Sequence, residues 1–391
     1  MRSTAFALLF IANLLQAIAG ALLLHLPGHL AALGASETVV GTIMAAGAGI
    51  AILASPLIGQ LLDSSPRGLL SLVALAAAAA LAIALGSTPS LGPAFLTLFL
   101  LLELLIAFLY AALFLRAIAL LDPQRRARGL ALFSISTMGA VGLAAALGEL
   151  VLAQSDFETL FQLMAALFGV AALPMLALQV WSDPQPTREH LAPAGPTDSA
   201  AAARGSFFSA ISDPPLWPVW SLCIGFFAAM VSVFVFLKLT TAATGVGSLG
   251  LYFTVYAGLA VTLRVLAGGL PDRFDLLPFA VTVVLLYALG FILLATAESR
   301  PAFFAAAALG GIGHGFGYPV LMALATERSR AANRGSTLAM FNAIDQGMTL
   351  AAAPALGWIL SSAAPAALYL TAATLAAMGA LIAWPLRRAQ R

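Results

Sequence analysis

Charged side chains are scarce in this chain. Lysine, arginine, aspartate and glutamate together make up 9% of its 391 residues, and hydrophobic residues make up 62%. A soluble domain carries about 25% charged residues. So few charges cannot cover a water-soluble globule of this size, and lipid must therefore form part of the solvent. The composition predicts an integral membrane protein.

Cysteine and several catalytic motifs are missing or nearly so. The single cysteine, Cys223, excludes an internal disulfide and a cysteine-based metal cluster. The sequence has no Gly-Lys-Ser/Thr phosphate loop and no Gly-x-Ser-x-Gly nucleophile turn. Its arginines are scattered through short loops, without the basic face that nucleic acid requires. We therefore expect no enzymatic activity, no cofactor, no metal and no nucleic-acid partner.

Long apolar segments are abundant instead. A helix needs about 20 mostly apolar residues to cross a bilayer. Turn residues and charges separate twelve such segments, near 5–26, 37–62, 68–86, 93–121, 128–152, 159–181, 216–238, 247–270, 276–297, 301–325, 334–360 and 365–386. The first is longer than the apolar core of a secretion signal, so we count it as a span. The predicted fold class is an all-α membrane protein with twelve transmembrane helices.

Two short sequence motifs each occur twice in the chain, and the distance between the two copies is nearly the same for both. The turn that ends in Asp63 reappears in the turn that ends in Asp272, 209 positions later. The Arg128-Gly129 step reappears at Arg334-Gly335, 206 positions later. This agreement predicts two six-helix halves that are structural repeats, as in many transporters. We place the N-terminal half at 1–181, a polar linker at 182–215 and the C-terminal half at 216–391.

Arginine sets the predicted orientation. With both termini in the cytoplasm, one arginine, Arg300, falls on the outside. Fourteen fall inside: Arg2, Arg67, Arg125, Arg126, Arg128, Arg188, Arg204, Arg273, Arg328, Arg330, Arg334, Arg387, Arg388 and Arg391. Positive charge favours the cytoplasmic side. The preference for arginine over lysine and the abundance of alanine are typical of a GC-rich bacterial genome. We therefore predict a multi-pass protein of the bacterial inner membrane with a cytoplasmic linker.

The loop after the second span resembles the signature loop of the major facilitator superfamily, G-x-L-x-D-R-x-G-R. The matching residues are Gly59, Leu61, Asp63 and Arg67, whereas Ser64 and Pro66 depart from the pattern. Span 5 keeps three glycines of the drug–proton antiporter motif, Gly139, Gly142 and Gly148, without its proline. The resemblance implies alternating access and favours proton-coupled export by antiport. A proton-coupled importer or facilitator, and a non-transporting sensor on the same fold, remain alternatives.

The repeated loops are the candidate inner gate. A carboxylate at the end of span 2 can accept hydrogen bonds from the N-terminal amides of a neighbouring helix or pair with an arginine. Such a latch must break when the inner side opens. The alternative is that these residues only anchor the helix ends at the interface. The candidate gate residues are Gly59, Asp63, Arg67, Arg264, Gly268, Asp272 and Arg273.

Three ionisable residues fall near the middle of their spans. These are Glu103 in span 4, His314 in span 10 and Asp345 in span 11. Such groups are costly in a bilayer, so they are candidates for proton coupling. Each has a structural alternative: a hydrogen-bonded helix pair for Glu103, packing within the glycine-rich segment for His314, and a structural or substrate contact for Asp345. By the resemblance, spans 4 and 10 line the central cavity.

Polar and aromatic side chains in the cavity-lining spans are candidates for contacts with a small-molecule substrate. For Asn13 and Gln16, one helical turn apart, hydrogen bonding between helices is an equal alternative. The candidate cavity residues are Asn13, Gln16, Tyr110, Tyr318, Asn342 and Gln346. We expect the other partners to be protons and membrane lipid, and we expect the protein to act as a monomer.

Overall fold

The computed structural model describes residues 2–64, 67–121, 126–181, 207–330 and 333–386, and within these ranges the chain is helical without strands. Three short 3-10 turns lie at Leu22–His25, Pro214–Leu216 and Pro271–Arg273. The α-helices are α1 (Arg2–Ala21), α2 (Leu26–Ala32), α3 (Glu37–Ser64), α4 (Arg67–Gly86), α5 (Pro93–Leu120), α6 (Arg126–Gln154), α7 (Phe157–Trp181), α8 (Phe207–Ser212), α9 (Trp217–Thr244), α10 (Leu249–Leu266), α11 (Leu276–Ala295), α12 (Arg300–Arg328), α13 (Arg334–Ser362) and α14 (Pro365–Leu386).

The twelve predicted spans correspond to α1 with α2, α3 to α7, and α9 to α14. Eleven of these segments are long and apolar enough to cross a membrane, by length and composition, within the described residues. The remaining helix, α13, has 29 residues and is therefore also long enough. It is less apolar because Asn342, Asp345 and Gln346 interrupt its middle. The all-α architecture of two repeated halves is confirmed.

Two of the predicted spans end six residues too early, and the eighth ends four residues too late, since α10 stops at Leu266. The first span does not end at residue 26, because the 3-10 turn at Leu22–His25 leads directly into α2, which continues to Ala32. Pro27 sits in the first turn of α2, where its missing N–H is tolerated. The seventh span does not end at Lys238. Helix α9 runs on to Thr244 and stops at Gly245, whose φ of 67° gives a left-handed cap.

The described residues form two compact units. The first takes residues from Met1–Ala35 and Ala46–Ala192, and the second from Ser36–Ala45 and Pro193–Arg391. In the first unit α4 packs on α7 and α5, and α1 packs on α7 and α6. In the second unit α11 packs on α14 and α12, and α9 packs on α14 and α13. The same pairings recur in the two units, as the repeat predicts.

Small residues allow close helix packing in the second unit, where α9 crosses α14. A Cβ atom at Gly225 would lie 2.5 Å from the carbonyl oxygen of Leu375. The Ser221 hydroxyl donates to the carbonyl oxygen of Gly379 across the same contact, at 3.2 Å. Lipid supplies no hydrophobic force between helices, so backbone approach and interhelical hydrogen bonds stabilise this pair.

The first turns of α3 belong to the second unit and pack on α13. A Cβ atom at Gly41 would lie 2.8 Å from the carbonyl carbon of Ala353, and one at Gly357 would lie 3.0 Å from the Cα of Thr38. The hydroxyls of Thr38 and Ser361 are 3.1 Å apart and hydrogen-bonded. Two glycines therefore permit direct backbone contact between these helix ends.

The described end of the linker is attached to the second unit. The indole N–H of Trp217 donates to the carbonyl oxygen of Ile211, and that of Trp220 donates to Ala210, both at 2.9 Å. The buried carboxylate of Asp213 lies 3.9 Å from the guanidinium of Arg330. These bonds hold α8, which packs on α13. The rest of the linker, 182–206, lies outside the described residues.

Candidate functional site

Glu103 lies in the middle of α5, in the first unit. At about 1.5 Å per residue it is roughly 15 Å from the start of that helix. Its side chain packs against Gly47 of α3: a Cβ atom there would lie 3.1 Å from Glu103 Cγ and 3.0 Å from Phe99 Cζ. Within the described chain no side chain or backbone group forms a hydrogen bond with this partly exposed carboxyl group. The carboxyl group also forms no ion pair with the residues that the structure describes.

A second polar group in the first unit joins α1 to α6. Asn13 donates through Nδ2 to the hydroxyls of Ser136, at 2.7 Å, and Thr137, at 3.2 Å. Gln16 donates through Nε2 to Asn13 Oδ1 at 3.0 Å. Asn13, Gln16 and Ser136 are buried. In this structure both amides make the hydrogen bonds between or within helices that we had considered as the alternative to substrate binding.

Tyr110 is placed differently from these amides. It lies two turns beyond Glu103 on α5, and 47% of it is exposed. Its ring stacks on that of Phe114 with the centroids 6.1 Å apart. Of the cavity candidates in the first unit, Tyr110 is thus the one whose side chain is most accessible.

His314 is the centre of a buried hydrogen-bonded chain in the second unit. Its Nδ1 lies 2.6 Å from the hydroxyl of Tyr256 on α10, which is 3.1 Å from the hydroxyl of Tyr287 on α11. All three side chains are buried. The rings of Phe226 and Phe234 flank the imidazole at 5.9 and 6.1 Å. Three helices therefore position one imidazole.

The glycine-rich segment of α12 makes this arrangement possible. A Cβ atom at Gly311 would lie 2.5 Å from the carbonyl oxygen of Tyr256, and one at Gly313 would lie 2.7 Å from Tyr287 Cβ. Tyr256 reaches His314, and Tyr287 reaches Tyr256, because the glycines allow α10 and α11 to approach α12 closely. The glycines thus provide the close packing and the hydrogen-bonded chain together.

Arg264 lies beside this chain. Its Nε donates to the carbonyl oxygen of Gly315 at 3.3 Å, which links the end of α10 to the residue after His314. Arg264 and Asp272 are both candidate gate residues. The side chain of Asp272 lies outside the described part of the structure. The bond from Nε joins Arg264 to the histidine helix.

The polar residues of α13 are more exposed than the residues around His314. Asn342 and Gln346 are exposed, and Asp345 is partly exposed. No hydrogen bond of Asp345 occurs among the residues that the structure describes. Tyr318, one turn after His314, stacks on it with the ring centroids 6.0 Å apart. The sequence candidates in the second unit therefore fall into a buried group around His314 and an accessible group on α13.

The family can now be assigned. The sequence profile of the Major Facilitator Superfamily matches residues 4–270 and 239–391. The chain belongs to this superfamily. A mutant of the nucleoside transporter NupG has a similar structure, with a TM-score of 0.79 at 13% identity over 98% of this chain and 99% of that one.

Two further solved transporters are similar. For a mutant of the peptide transporter POT the TM-score is 0.77 at 14% identity, over 98% of this chain and 94% of that one. For a bacterial homolog of the human lysosomal transporter Spinster, inward-facing and unoccupied, it is 0.71 at 14% identity, over 98% and 96%. At such identities the likeness establishes the fold alone.

The loops that resemble the superfamily signature are described only in part. Asp63 lies in the last turn of α3 and Arg67 in the first turn of α4, but their side chains lie outside the described part. Gly59 is open, because no atom lies within 4 Å of the position that a Cβ atom would take there. Gly268 approaches the carbonyl oxygen of Arg264, 2.5 Å from a Cβ position, and Arg273 is exposed in the turn Pro271–Arg273. The latch between these loops remains a prediction.

Sequence reasoning missed the hydroxyl partners in this superfamily member. Ser136 and Thr137 gave no signal among the many small residues of their span. Tyr256 and Tyr287 did give one, because the chain has six tyrosines and three of them, Tyr252, Tyr256 and Tyr287, fall in two consecutive spans. A tyrosine in a membrane helix needs a partner for its hydroxyl. The buried imidazole of the next span is such a partner.

Proposed function

We propose that this protein is a proton-coupled secondary transporter that moves a small organic solute out of the cell by alternating access. The observation that carries the proposal is Glu103, a carboxyl group in the middle of a membrane helix with no polar partner among the described residues. Placing a charged carboxylate at that depth costs about 2.5–3.5 kcal/mol. A structural role does not account for this cost, because no bond holds the group to a neighbouring helix.

Proton coupling explains why a carboxyl group is placed at this depth despite the cost. A carboxyl group in a dry, apolar setting retains a proton, and it releases that proton when water reaches it. An alternating-access cycle provides both conditions in turn. Proton release can then be tied to the step that exposes the other side. Asp345 on α13, also without a hydrogen bond in the described chain, is the next candidate for this role.

The proposed direction rests on the sequence. Three glycines of span 5 resemble the motif of drug–proton antiporters, which favours efflux. The proposed solute contacts are the accessible residues Tyr110, Asn342 and Gln346, with Tyr318 beside the buried histidine. We propose a monomer in the inner membrane of a bacterium, with lipid, protons and the solute as its partners. An importer or facilitator is the second candidate, because the same carboxyl group would serve uptake.

Everted membrane vesicles test coupling and direction together. Respiration acidifies their interior, and a pH-sensitive dye reports the gradient. A panel of drugs, sugars, amino acids and metallophores is added to vesicles with and without the protein. An exporter that exchanges protons for solute should dissipate the gradient when its substrate is added. A response confined to right-side-out vesicles would indicate uptake. Binding of panel compounds without flux in either vesicle type would indicate a sensor.

We expect both termini and the linker to be cytoplasmic. The reason is the excess of arginines on that side. Single cysteines are introduced by Ser199→Cys in the linker and Ser299→Cys before α12, each with Cys223→Ser. An impermeant maleimide applied to intact cells should label Ser299→Cys, whereas Ser199→Cys should react only after the cells are permeabilised. Labelling in the reverse order would invert the topology.

We expect the hydrogen bond of Tyr256 to matter for the pH dependence of transport. His314 is proposed as a proton relay or substrate partner. A relay exchanges a proton during the cycle, so His314→Ala should alter the pH profile of flux. Tyr256→Phe removes the 2.6 Å bond to His314 but keeps the ring, and should shift the same profile.

Tyr252→Phe is the matched control for this series. Tyr252 is also buried on α10 and stacks on Tyr256 at 5.7 Å, but it takes no part in the bond to His314. Its profile should remain that of the native protein. If Tyr256→Phe and Tyr252→Phe behave alike, the hydrogen-bonded chain serves packing and not proton movement.

A further inference from the structure

Arg116 lies one helical turn before the end of α5, in the first unit, and belongs to none of the residue sets discussed so far. Its Nη1 atom is fully buried. No hydrogen bond or ion pair of Arg116 occurs among the residues that the structure describes. An arginine near a membrane surface usually extends its charged end into water. The buried Nη1 shows that this guanidinium packs against protein instead.

Gly68 of α4 allows this packing. A Cβ atom at Gly68 would lie 3.2 Å from Arg116 Nη1 and 2.6 Å from Nε2 of Gln179, near the end of α7. The missing side chain lets both nitrogen atoms approach the first turn of α4. The amides of a helix start have no partner within the helix, and they carry a partial positive charge. Hydrogen-bond donors from three helices therefore meet around Gly68.

This group of donors has no negative charge beside it in the described part of the chain. A buried carboxyl group becomes neutral by binding a proton, but a guanidinium keeps its charge in a protein. Buried charges are normally paired, because an unpaired one is costly. The start of α4 adds positive charge to Arg116 and does not offset it. The arrangement therefore suits an anion that comes from outside the chain.

The surroundings favour a phosphate group attached to a lipid. The planar guanidinium fork matches the oxygens of a phosphate, and Arg116 as a whole is partly exposed. The same two helices that meet it carry exposed apolar side chains, Leu69 and Val73 on α4 and Leu173 and Leu176 on α7. Acyl chains can lie on such a surface, whereas a soluble anion gains nothing from it.

We propose that Arg116 and Gln179 bind the headgroup phosphate of an anionic phospholipid in the cytoplasmic leaflet. In the proposed topology the start of α4 and the ends of α5 and α7 lie at that surface. Basic pockets between membrane helices on the cytoplasmic side bind such headgroups. A zwitterionic lipid is less suitable, because its ammonium group would meet the positive charge of Arg116. The proposal rests on the proposed orientation in the membrane and not on proton coupling.

The test measures lipid binding to the full-length protein in a neutral detergent by native mass spectrometry. The probes are phosphatidylglycerol and phosphatidylcholine with the same acyl chains. Phosphatidylglycerol should bind about fivefold more tightly. Inorganic phosphate at the same concentration should not displace it, because it lacks the acyl chains. No gradient or flux is involved, so failure of this proposal and failure of the transport proposal are distinguishable.

Two substitutions remove the site in opposite ways. Arg116→Gln removes the charge and should reduce phosphatidylglycerol binding to the level of phosphatidylcholine. Gln179→Glu keeps Arg116 but places a carboxylate beside it. The chain then supplies the missing counter-charge, so the same loss of selectivity should accompany a higher temperature of unfolding. The matched control is Arg334→Gln, which removes an exposed arginine at the start of α13 in the second unit. It should bind both lipids like the native protein.

Three results would overturn the proposal. One is equal affinity of the native protein for the two lipids. Another is unchanged selectivity in Gln179→Glu, a variant that remains informative should Arg116→Gln fail to fold. The third is displacement of phosphatidylglycerol by inorganic phosphate at the same concentration, which would make the ligand a soluble phosphate and not a lipid.

Discussion

Replacing Glu103 with glutamine should abolish solute accumulation against a gradient in vesicles. Glutamine keeps the shape of the side chain beside Gly47 and Phe99 but cannot gain or lose a proton. If Glu103 is the coupling group, the variant can still bind solute and can still equilibrate it. The expected pattern is therefore a loss of uphill flux to the level of protein-free vesicles, with exchange of solute in the absence of a pH gradient preserved.

The matched control is Glu158→Gln. Glu158 lies at the start of α7 in the same unit, is exposed, and accepts a bond from Gln162 at 3.3 Å. Its replacement removes one carboxylate without touching the middle of a helix, so uphill flux should be unchanged. Full retention of uphill flux by Glu103→Gln would exclude Glu103 as the coupling group. The same experiment with Asp345→Asn would then be decisive.

Much of the fold could be predicted because a membrane-spanning helix must be long and apolar, and both properties are visible in the sequence. Bilayer thickness fixes helix length, so apolar runs locate the spans. The repeat was visible in two loop markers and reappears as matching helix pairs in the two units. The wrong span ends were placed at residues that are common at helix ends but do not end these helices. Lys238 marked the end of a span, but a lysine with a long apolar stem can lie within a helix near the interface. The helix continues to Thr244 and is capped by Gly245.

The candidate site was less predictable. The depth of a residue in the membrane follows from its position along the helix, but the neighbouring helix that its side chain faces does not follow from the sequence. Glu103 and His314 were both placed near mid-helix by counting. Their surroundings depend on which neighbour each faces. Gly47 of α3 packs against the first, and Tyr256, which also bonds Tyr287, bonds the second. These partners lie on other helices, and their approach depends on glycines whose role is visible only in three dimensions.

The last prediction concerns the contact between the start of α3 and α13. The hydroxyl oxygens of Thr38 and Ser361 are 3.1 Å apart, so Thr38→Cys with Ser361→Cys, in a Cys223→Ser background, brings two sulfur atoms within reach of a disulfide. Oxidation should cross-link the pair in the native membrane. In the proposed topology this contact lies on the outer side, where an exporter must open to release its solute.

If the proposed outer opening forms between these two helix ends, the cross-linked protein should stop transporting. Reduction should restore the flux, which distinguishes a locked cycle from a damaged fold. Each single-cysteine variant, treated with the same oxidant, should transport normally. If the disulfide forms and flux continues, these helix ends remain together throughout the cycle, and the outer opening must lie between other helices.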